Sequence, residues 1–152
     1  MEVVRFLNEF AAGIGAGGMS LTAAATAAKE RLPDRERVQD HVEGSRVIDR
    51  FMPPAIMISA ITAIVALLWE DHLTAASRDW LVVGLVCSLL VSIPSVAINL
   101  RINAFIESEY KAGTPPSELR PKLARWNRVH LFRTIAGTLG FAAYTISLLV
   151  RA

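Results

Sequence analysis

The sequence is poor in cysteine and in net charge. Cys87 is the single cysteine among 152 residues, so the chain can form neither an internal disulfide nor a cysteine-based zinc site. We interpret it as a small apolar side chain, because it lies within an apolar run. The 16 Lys and Arg nearly balance the 14 Asp and Glu, which leaves a formal net charge of +2. A nearly neutral chain without a basic patch is not expected to bind nucleic acid.

The sequence also lacks the short motifs of common catalytic and cofactor sites. It contains no phosphate-binding loop with a lysine, no G-x-S-x-G and no redox cysteine pair. His130 has no second histidine at metal-ligand spacing, and we expect His41 and His72 in loops on opposite faces of a membrane. The GIGAGG run follows no predicted strand, so its glycines are interpreted as packing residues. We therefore predict a site without a metal or an organic cofactor.

Long apolar segments are what the sequence has in abundance, and 53% of its residues are hydrophobic. A helix that spans a bilayer needs about 20 mostly apolar residues. Three segments meet this requirement, at residues 51–69, 80–100 and 131–150. None of them contains an acidic residue, and Arg133 is their only base. They predict three transmembrane helices.

A fourth segment, residues 3–28, is long enough to span but carries Arg5, Asn8 and Glu9. Its many Gly and Ala residues favour close packing between membrane helices. The alternative is a cleaved signal peptide, with the small residues of ATAAK near a cleavage position. Glu9 would interrupt the apolar core of such a peptide, and its own role stays open. The chain is thus predicted to be an all-α, integral membrane four-helix up-down bundle, with residues 1–152 as one domain.

The distribution of basic residues predicts the orientation of the bundle. The connections 29–50 and 101–128 carry six Lys or Arg each, whereas residues 70–79 contain only Arg78. The positive-inside rule places both long connections in the cytoplasm and both termini outside. We therefore predict a protein of the cell (inner) membrane.

Polar side chains collect at the predicted cytoplasmic edge. Trp126, His130 and Arg133 are spaced by four and three residues, which places them on one helix face. Asn99 and Asn103 share a face at the end of the third segment, just after Pro94, which predicts a kink. Thr22, late in the first segment, lies at a similar depth, and the topology allows all six polar side chains to converge. Glu9 enters from the opposite face and is not expected to join them.

A second interpretation of the same residues is interfacial anchoring. A Trp with bases beside it is the ordinary anchor of a membrane helix, and this accounts for Trp126, Arg125 and Arg128. Asparagines at a membrane edge often contact headgroups or water. Anchoring accounts less well for His130 and Arg133, which share the helix face of Trp126. The two interpretations differ in whether this face points to the bundle interior or to the headgroups.

Four stretches, AAGIGAGG, RFMPPAI, AINLRINAFI and TPPSELRPKLARWNRVHLFRT, follow one another along nearly the whole chain. Together they resemble the small four-helix membrane proteins grouped with anthrone oxygenases, many of whose bacterial members have no assigned function. The most specific piece is the Trp126, His130, Arg133 frame. The family tends to place a proline just before the Asn at the end of the third segment. Here Ala97 and Ile98 precede Asn99, so Asn99 and Asn103 both remain candidates for that position.

The resemblance implies a cofactor-free oxidation of an anthrone to an anthraquinone by dioxygen. Such chemistry needs a base, a clamp for an enolate oxygen and a flat apolar slot. His130 is the expected base, Arg133 with Asn99 or Asn103 the clamp, and Trp126 the ring-stacking residue, with Asn103 and Thr22 as further substrate contacts. The expected partners are the lipid bilayer and a lipophilic small molecule.

Two other functions compete with an enzyme. A non-catalytic membrane subunit would use the polar face to bind a partner protein or a lipid, and the small residues of the first segment permit a homo-oligomer. A transporter would need polar residues along its whole length. Because the segments are apolar at mid-depth, transport ranks last.

Overall fold

The computed structural model describes residues 1–150, and these form helices and short turns. The helices are α1 (Glu2–Lys29), α2 (Asp34–Trp69), α3 (Ala75–Pro94), α4 (Leu100–Lys111) and α5 (Pro116–Leu149), with a π-helical turn, Ser95–Asn99, joining α3 to α4. Four helices are long and apolar enough to cross a membrane: α1, α2, the α3–α4 unit and α5. The all-α membrane bundle predicted from the sequence is confirmed.

Each long helix packs against two neighbours. α1 contacts α2 and α5, and α3 contacts the same two helices, so the four form a closed ring around a common interior. The outer surface of the bundle is apolar, with large exposed side chains such as Phe10, Ile61, Leu89 and Ile135. An exposed surface of this composition is suited to a lipid environment and not to water.

Glycines allow these helices to approach closely. A Cβ on Gly140 of α5 would lie 2.9 Å from the Cβ of Cys87 on α3. On α1, a Cβ on Gly18 would lie 2.6 Å from Met52 Sδ, and one on Gly15 would lie 3.3 Å from Ile56 Cγ1. The GIGAGG run is therefore part of the α1–α2 packing surface, as small residues in membrane bundles commonly are.

The charged connection 29–50 is mostly an extension of α2. α2 begins at Asp34 and continues through Pro53 and Pro54 to Trp69. The extension packs on α4 and on the start of α5 through one apolar cluster, whose members are Val38, Val42, Ile102, Ile106, Leu119, Leu123 and Trp126. His41 is thus helical, and the prediction that it falls in a loop is wrong. The physical reason is that Val38 and Val42 are four residues apart and bury one apolar helix face.

The irregularity predicted near Pro94 is a single π-helical turn, Ser95–Asn99. Proline has no backbone N–H, so the regular hydrogen-bond ladder is broken at this point. The extra residue of a π turn changes which side chains face inward after it. Asn99 and Asn103 are 2% and 8% exposed, so both amides point to the interior and not to lipid headgroups.

Polar residues are also buried at the opposite end of the bundle. Arg5 Nη2 donates to Ser147 Oγ at 2.8 Å, and Arg5 Nε lies 3.8 Å from Glu70 Oε2. Glu9 accepts a hydrogen bond from Thr145 on α5 at this end. These contacts tie α1 to α5 and to the α2–α3 turn. They place Glu9 away from the polar residues of the predicted site, as expected.

Candidate functional site

The face of α5 that carries Trp126, His130 and Arg133 points to the bundle interior. The three side chains are 9%, 4% and 8% exposed. Trp126 packs in the apolar cluster under the α2 extension, and the ring of His130 contacts α1 through the carbonyl of Met19. Interfacial anchoring requires access to headgroups, which this degree of burial denies. The sequence left open whether this face points to the bundle interior or to the headgroups, and its burial shows that it points to the interior.

One small cavity gathers all six side chains singled out from the sequence. Its volume is about 20 Å³, and its polar lining includes Thr22, Asn99, Asn103, Trp126, His130 and Arg133. The lining comes from α1, from the π turn and α4, and from α5, so none of these helices builds the site alone. A space of this size accommodates about one water-sized molecule. α2 contributes Asp49, which the sequence analysis did not select.

Two imidazole rings pack against the indole of Trp126 beside the cavity. The rings of Trp126 and His130 are nearly parallel, with centroids 4.6 Å apart and an interplanar angle of 11°. The ring of His41 meets Trp126 edge to face, at 4.9 Å and 88°. His130 therefore covers one face of Trp126 and is itself held in place by it.

The hydrogen bond of His130 determines which ring nitrogen carries its proton. Nε2 lies 3.2 Å from the backbone oxygen of Met19, and a carbonyl oxygen only accepts. Nε2 is accordingly the donor, and in the neutral ring Nδ1 keeps its lone pair. Nδ1 is buried and has no hydrogen-bond partner within residues 1–150. A histidine arranged in this way presents an unoccupied basic nitrogen.

Four residues that line the cavity have buried polar atoms without a partner in the described part of the chain. These atoms are both amide atoms of Asn99, Nε1 of Trp126, Nδ1 of His130 and Nε of Arg133. Leaving a buried donor or acceptor unsatisfied costs about 1–3 kcal/mol, and native proteins contain few such groups. Their concentration around a single cavity is typical of a binding site, where a ligand supplies the missing partners.

Asn103 differs from Asn99 because both ends of its amide are bonded. Its Nδ2 donates to Asp49 Oδ2 at 2.8 Å, and its Oδ1 lies 3.1 Å from His41 Nε2. Since the amide oxygen only accepts, His41 Nε2 carries the proton and donates. His41, Asn103 and Asp49 thus form a continuous hydrogen-bonded chain from the α2 extension to α4 and back.

Sequence reasoning missed His41 and Asp49. A signal for them was present: His41, Ser45 and Asp49 follow one another at helical spacing, next to the apolar pair Val38 and Val42.

Burial lowers the pKa of the His41 imidazole, which lies outside the membrane-spanning segments, to about 4. Burial also raises the pKa of the Asp49 carboxyl, and Asn103 and Arg133 partly oppose that rise. His41 is therefore neutral at physiological pH.

A second cavity adjoins the first. It has a volume of about 50 Å³ and lies between the end of α1, the α2 extension and α5, with His41, Lys29 and Arg37 on its walls. Thr22, Ile48, Asp49 and Trp126 line both cavities, so the two adjoin at these residues. We refer to this second cavity as the groove. Within residues 1–150, no three His, Cys, Asp or Glu side chains are grouped as ligands of a metal ion would be.

Comparison with known proteins shows the family of the chain. A family model described as anthrone oxygenase matches residues 45–143, which is more than half of the chain. The chain therefore belongs to the anthrone oxygenase family. The matched region contains Asp49, Asn99, Asn103, Trp126, His130 and Arg133, whereas Thr22 and His41 precede it. No curated protein and no solved structure matches the chain.

Proposed function

We propose that the protein is a membrane-embedded oxygenase that oxidises a flat, lipophilic, anthrone-like aromatic with dioxygen, without a metal or an organic cofactor. The observation that carries this proposal is the set of buried polar atoms around one cavity that have no partner in the described part of the chain. It comprises N–H donors on Asn99, Trp126 and Arg133 and one basic nitrogen on His130. Family membership supports the reaction class, and this donor set supports the chemistry.

The reaction converts a CH2 group flanked by two aromatic rings into a carbonyl. His130 Nδ1 removes one proton from the CH2 group, and the electron pair moves to the substrate carbonyl oxygen as an enolate. The N–H groups of Asn99 and Arg133 stabilise the negative oxygen, as oxyanion donors do in other enzymes. The electron-rich enolate carbon reduces dioxygen and bonds to it, which gives a peroxide. Loss of the second C–H proton with cleavage of the O–O bond leaves the new carbonyl and releases water.

The two asparagines have different roles in this proposal. Neither amide atom of Asn99 has a hydrogen-bond partner within residues 1–150, so Asn99 is the member of the pair that binds the enolate. Asn103 is occupied at both ends by Asp49 and His41, so it acts as a positioning residue. Trp126 orients His130 through their ring stack, and one of its faces is consequently closed to the substrate. Because a tricyclic substrate is larger than the cavity of about 20 Å³, it has to extend into the groove and move the side chains that line both, and Thr22 contacts it there.

The non-catalytic alternative, a membrane subunit that binds a partner through the polar face, requires that face at the surface. Trp126, His130 and Arg133 are at most 9% exposed. A partner protein or a headgroup would have to open the bundle to reach them. The burial of the face therefore favours a small-molecule site.

A direct test is turnover of anthrones by the purified protein in lipid nanodiscs. The assay follows oxygen consumption and the absorbance of the anthraquinone product, with the spontaneous oxidation rate subtracted. We expect His130→Gln to lower turnover by a factor on the order of 10²–10⁴, the usual contribution of a general base. The matched control is His72→Gln, which removes an exposed histidine far from the site and should leave turnover unchanged. Full turnover by the His130 variant would disprove its assignment as the base.

We further propose the inner-membrane orientation in which both termini lie outside and the connections 29–50 and 101–128 are cytoplasmic. Its support is the asymmetry of basic residues. In a Cys87→Ala background, a membrane-impermeant maleimide added to intact cells should label Asp71→Cys but not Gly113→Cys. The reverse labelling pattern would contradict the orientation.

A further inference from the structure

The proposed reaction takes two protons from the same carbon, in two separate steps. Two protons leave the CH2 carbon, and both finish in the water that is released with the carbonyl product. After the first proton transfer, His130 holds one proton that it can return to the peroxide. The second C–H proton must then be taken while the O–O bond breaks. A second proton-transfer group close to the first would serve this step.

His41 is the group whose geometry suits this requirement. Its ring contacts Trp126 on the α2 extension while His130 is stacked on the same Trp, so one indole lies in contact with both imidazoles. His41 lines the groove, and Asp49 and Trp126 line both the groove and the adjoining cavity of His130. In the neutral ring, donation from Nε2 to Asn103 leaves the lone pair on Nδ1.

The chain behind His41 resembles the support of known catalytic bases. Asp49 Oδ2 accepts a hydrogen bond from Asn103 Nδ2 at 2.8 Å, which determines the orientation of the amide. The amide oxygen of Asn103 then accepts from His41 Nε2 at 3.1 Å. A carbonyl or carboxylate partner of this kind holds one tautomer and one ring orientation. Asp49 and Asn103 lie within the region matched by the family model, whereas His41 lies four residues before it.

We infer that His41 is the second proton-transfer group of the reaction and that Asn103 and Asp49 are its positioning residues. This inference rests on the proposed function. His130 takes the first C–H proton and delivers it to the peroxide, which becomes a hydroperoxide. His41 takes the second C–H proton as the O–O bond breaks. The carbon–hydrogen electron pair forms the new carbonyl, hydroxide leaves, and the proton on His41 converts it to water.

The two proton transfers are separable in an experiment. Without oxygen, only the first transfer occurs, and it is measured as enzyme-catalysed loss of deuterium from a CD2-labelled anthrone. With oxygen, anthraquinone formation requires both. We expect His41→Gln to keep deuterium loss within about threefold of wild type, to lower anthraquinone formation by a factor of about 10² or more, and to accumulate the hydroperoxide. His130→Gln should lower both activities by a factor on the order of 10²–10⁴, and His72→Gln should change neither.

A second measurement concerns geometry and needs no turnover. With 3 histidines in the chain, the ring nitrogens are resolvable by ¹⁵N NMR in micelles. His41 should be the Nε2–H tautomer in the wild type and a mixture of tautomers in Asn103→Leu, which keeps His41 but removes its acceptor. The same variant should lower anthraquinone formation more than deuterium loss. This pair of readouts also covers the case in which His41→Gln fails to fold.

The outcomes are distinguishable. A wild-type protein that oxidises no anthrone overturns the proposed function and this inference together. Anthrone oxidation that His41→Gln leaves unchanged overturns the inference alone. An equal fall of deuterium loss and product formation in His41→Gln also overturns it, because a purely structural role would produce that result. An Nδ1–H tautomer of His41 in the wild type contradicts the hydrogen-bonded chain on which the inference depends.

Discussion

Replacing Asn99 with leucine should make the protein more stable and less active. Asn99 is 2% exposed, and neither its Oδ1 nor its Nδ2 has a partner within residues 1–150. Each buried unsatisfied polar atom costs about 1–3 kcal/mol of the free energy of unfolding. Leucine has the same branched shape without the polar atoms. The substitution therefore removes a cost to folding together with the proposed enolate donor.

The expected change in the free energy of unfolding follows from the volume of the cavity beside Asn99. Two unsatisfied atoms would cost about 2–6 kcal/mol if both stayed dry. A cavity of about 20 Å³ has room for about one water, and one water can satisfy one of the two atoms. We therefore expect Asn99→Leu to raise the free energy of unfolding by about 1–3 kcal/mol. Loss of one oxyanion donor typically lowers turnover by about 10²–10³-fold, and we expect that fall here.

Asn103→Leu is the matched control, with the opposite effect on stability. Asn103 is also a buried asparagine, but its amide forms hydrogen bonds with Asp49 and with His41. Removing the amide leaves both partners unsatisfied, so the free energy of unfolding should fall by about 1–3 kcal/mol. The assay is titration of the purified variants with sodium dodecyl sulfate, followed by circular dichroism, beside anthrone turnover. If the two variants change stability in the same direction, or if Asn99→Leu keeps full turnover, the reasoning is refuted.

Two further predictions concern pH and packing. Because burial holds the pKa of His41 near 4, whereas a free histidine titrates near 6.5, the unfolded chain binds more protons between these values. The free energy of unfolding should therefore fall as the pH drops from about 6.5 towards 4, and this part of the pH dependence should vanish in His41→Gln. Unfolding titrations at pH 4.5 and 7.5 measure it. Gly140→Ala places a Cβ against the Cβ of Cys87 and should lower the free energy of unfolding by about 1–3 kcal/mol. Gly17 has open space around it, so Gly17→Ala should not lower the free energy of unfolding. Equal effects of the two substitutions would contradict the close approach of Gly140 to Cys87.

The membrane architecture was predictable because its signals are local. A span of about 20 apolar residues is read along the chain without knowledge of its neighbours. For the same reason, the sequence predicted a shared helix face for Trp126, His130 and Arg133, since helix periodicity alone places them on one side. The sequence could not decide which way that face points. That depended on the packing of α1 and the α2 extension around α5.

His41 and Asp49 show where local signals end. The region between residues 29 and 50 is rich in charges of both signs, and such regions are usually solvated. The extension of α2 nevertheless packs its Val38 and Val42 face onto α4 and α5. That packing brings His41 to Trp126 and Asp49 to Asn103. Helical spacing places His41 and Asp49 on one face, but their contacts join residues more than 50 positions apart, so the spacing does not indicate what that face packs against.

The amino-acid sequence is sufficient to predict the four membrane segments, their orientation and the helix faces that carry the polar residues. These properties depend on hydrophobicity and helical periodicity, which act over a few turns of one helix. Within residues 1–150, it is the packing of several helices that leaves Asn99 without partners, gives Asn103 two, and buries the polar face around one cavity. Hydrogen-bond satisfaction is a property of an environment built by several helices, and it arises only when they pack.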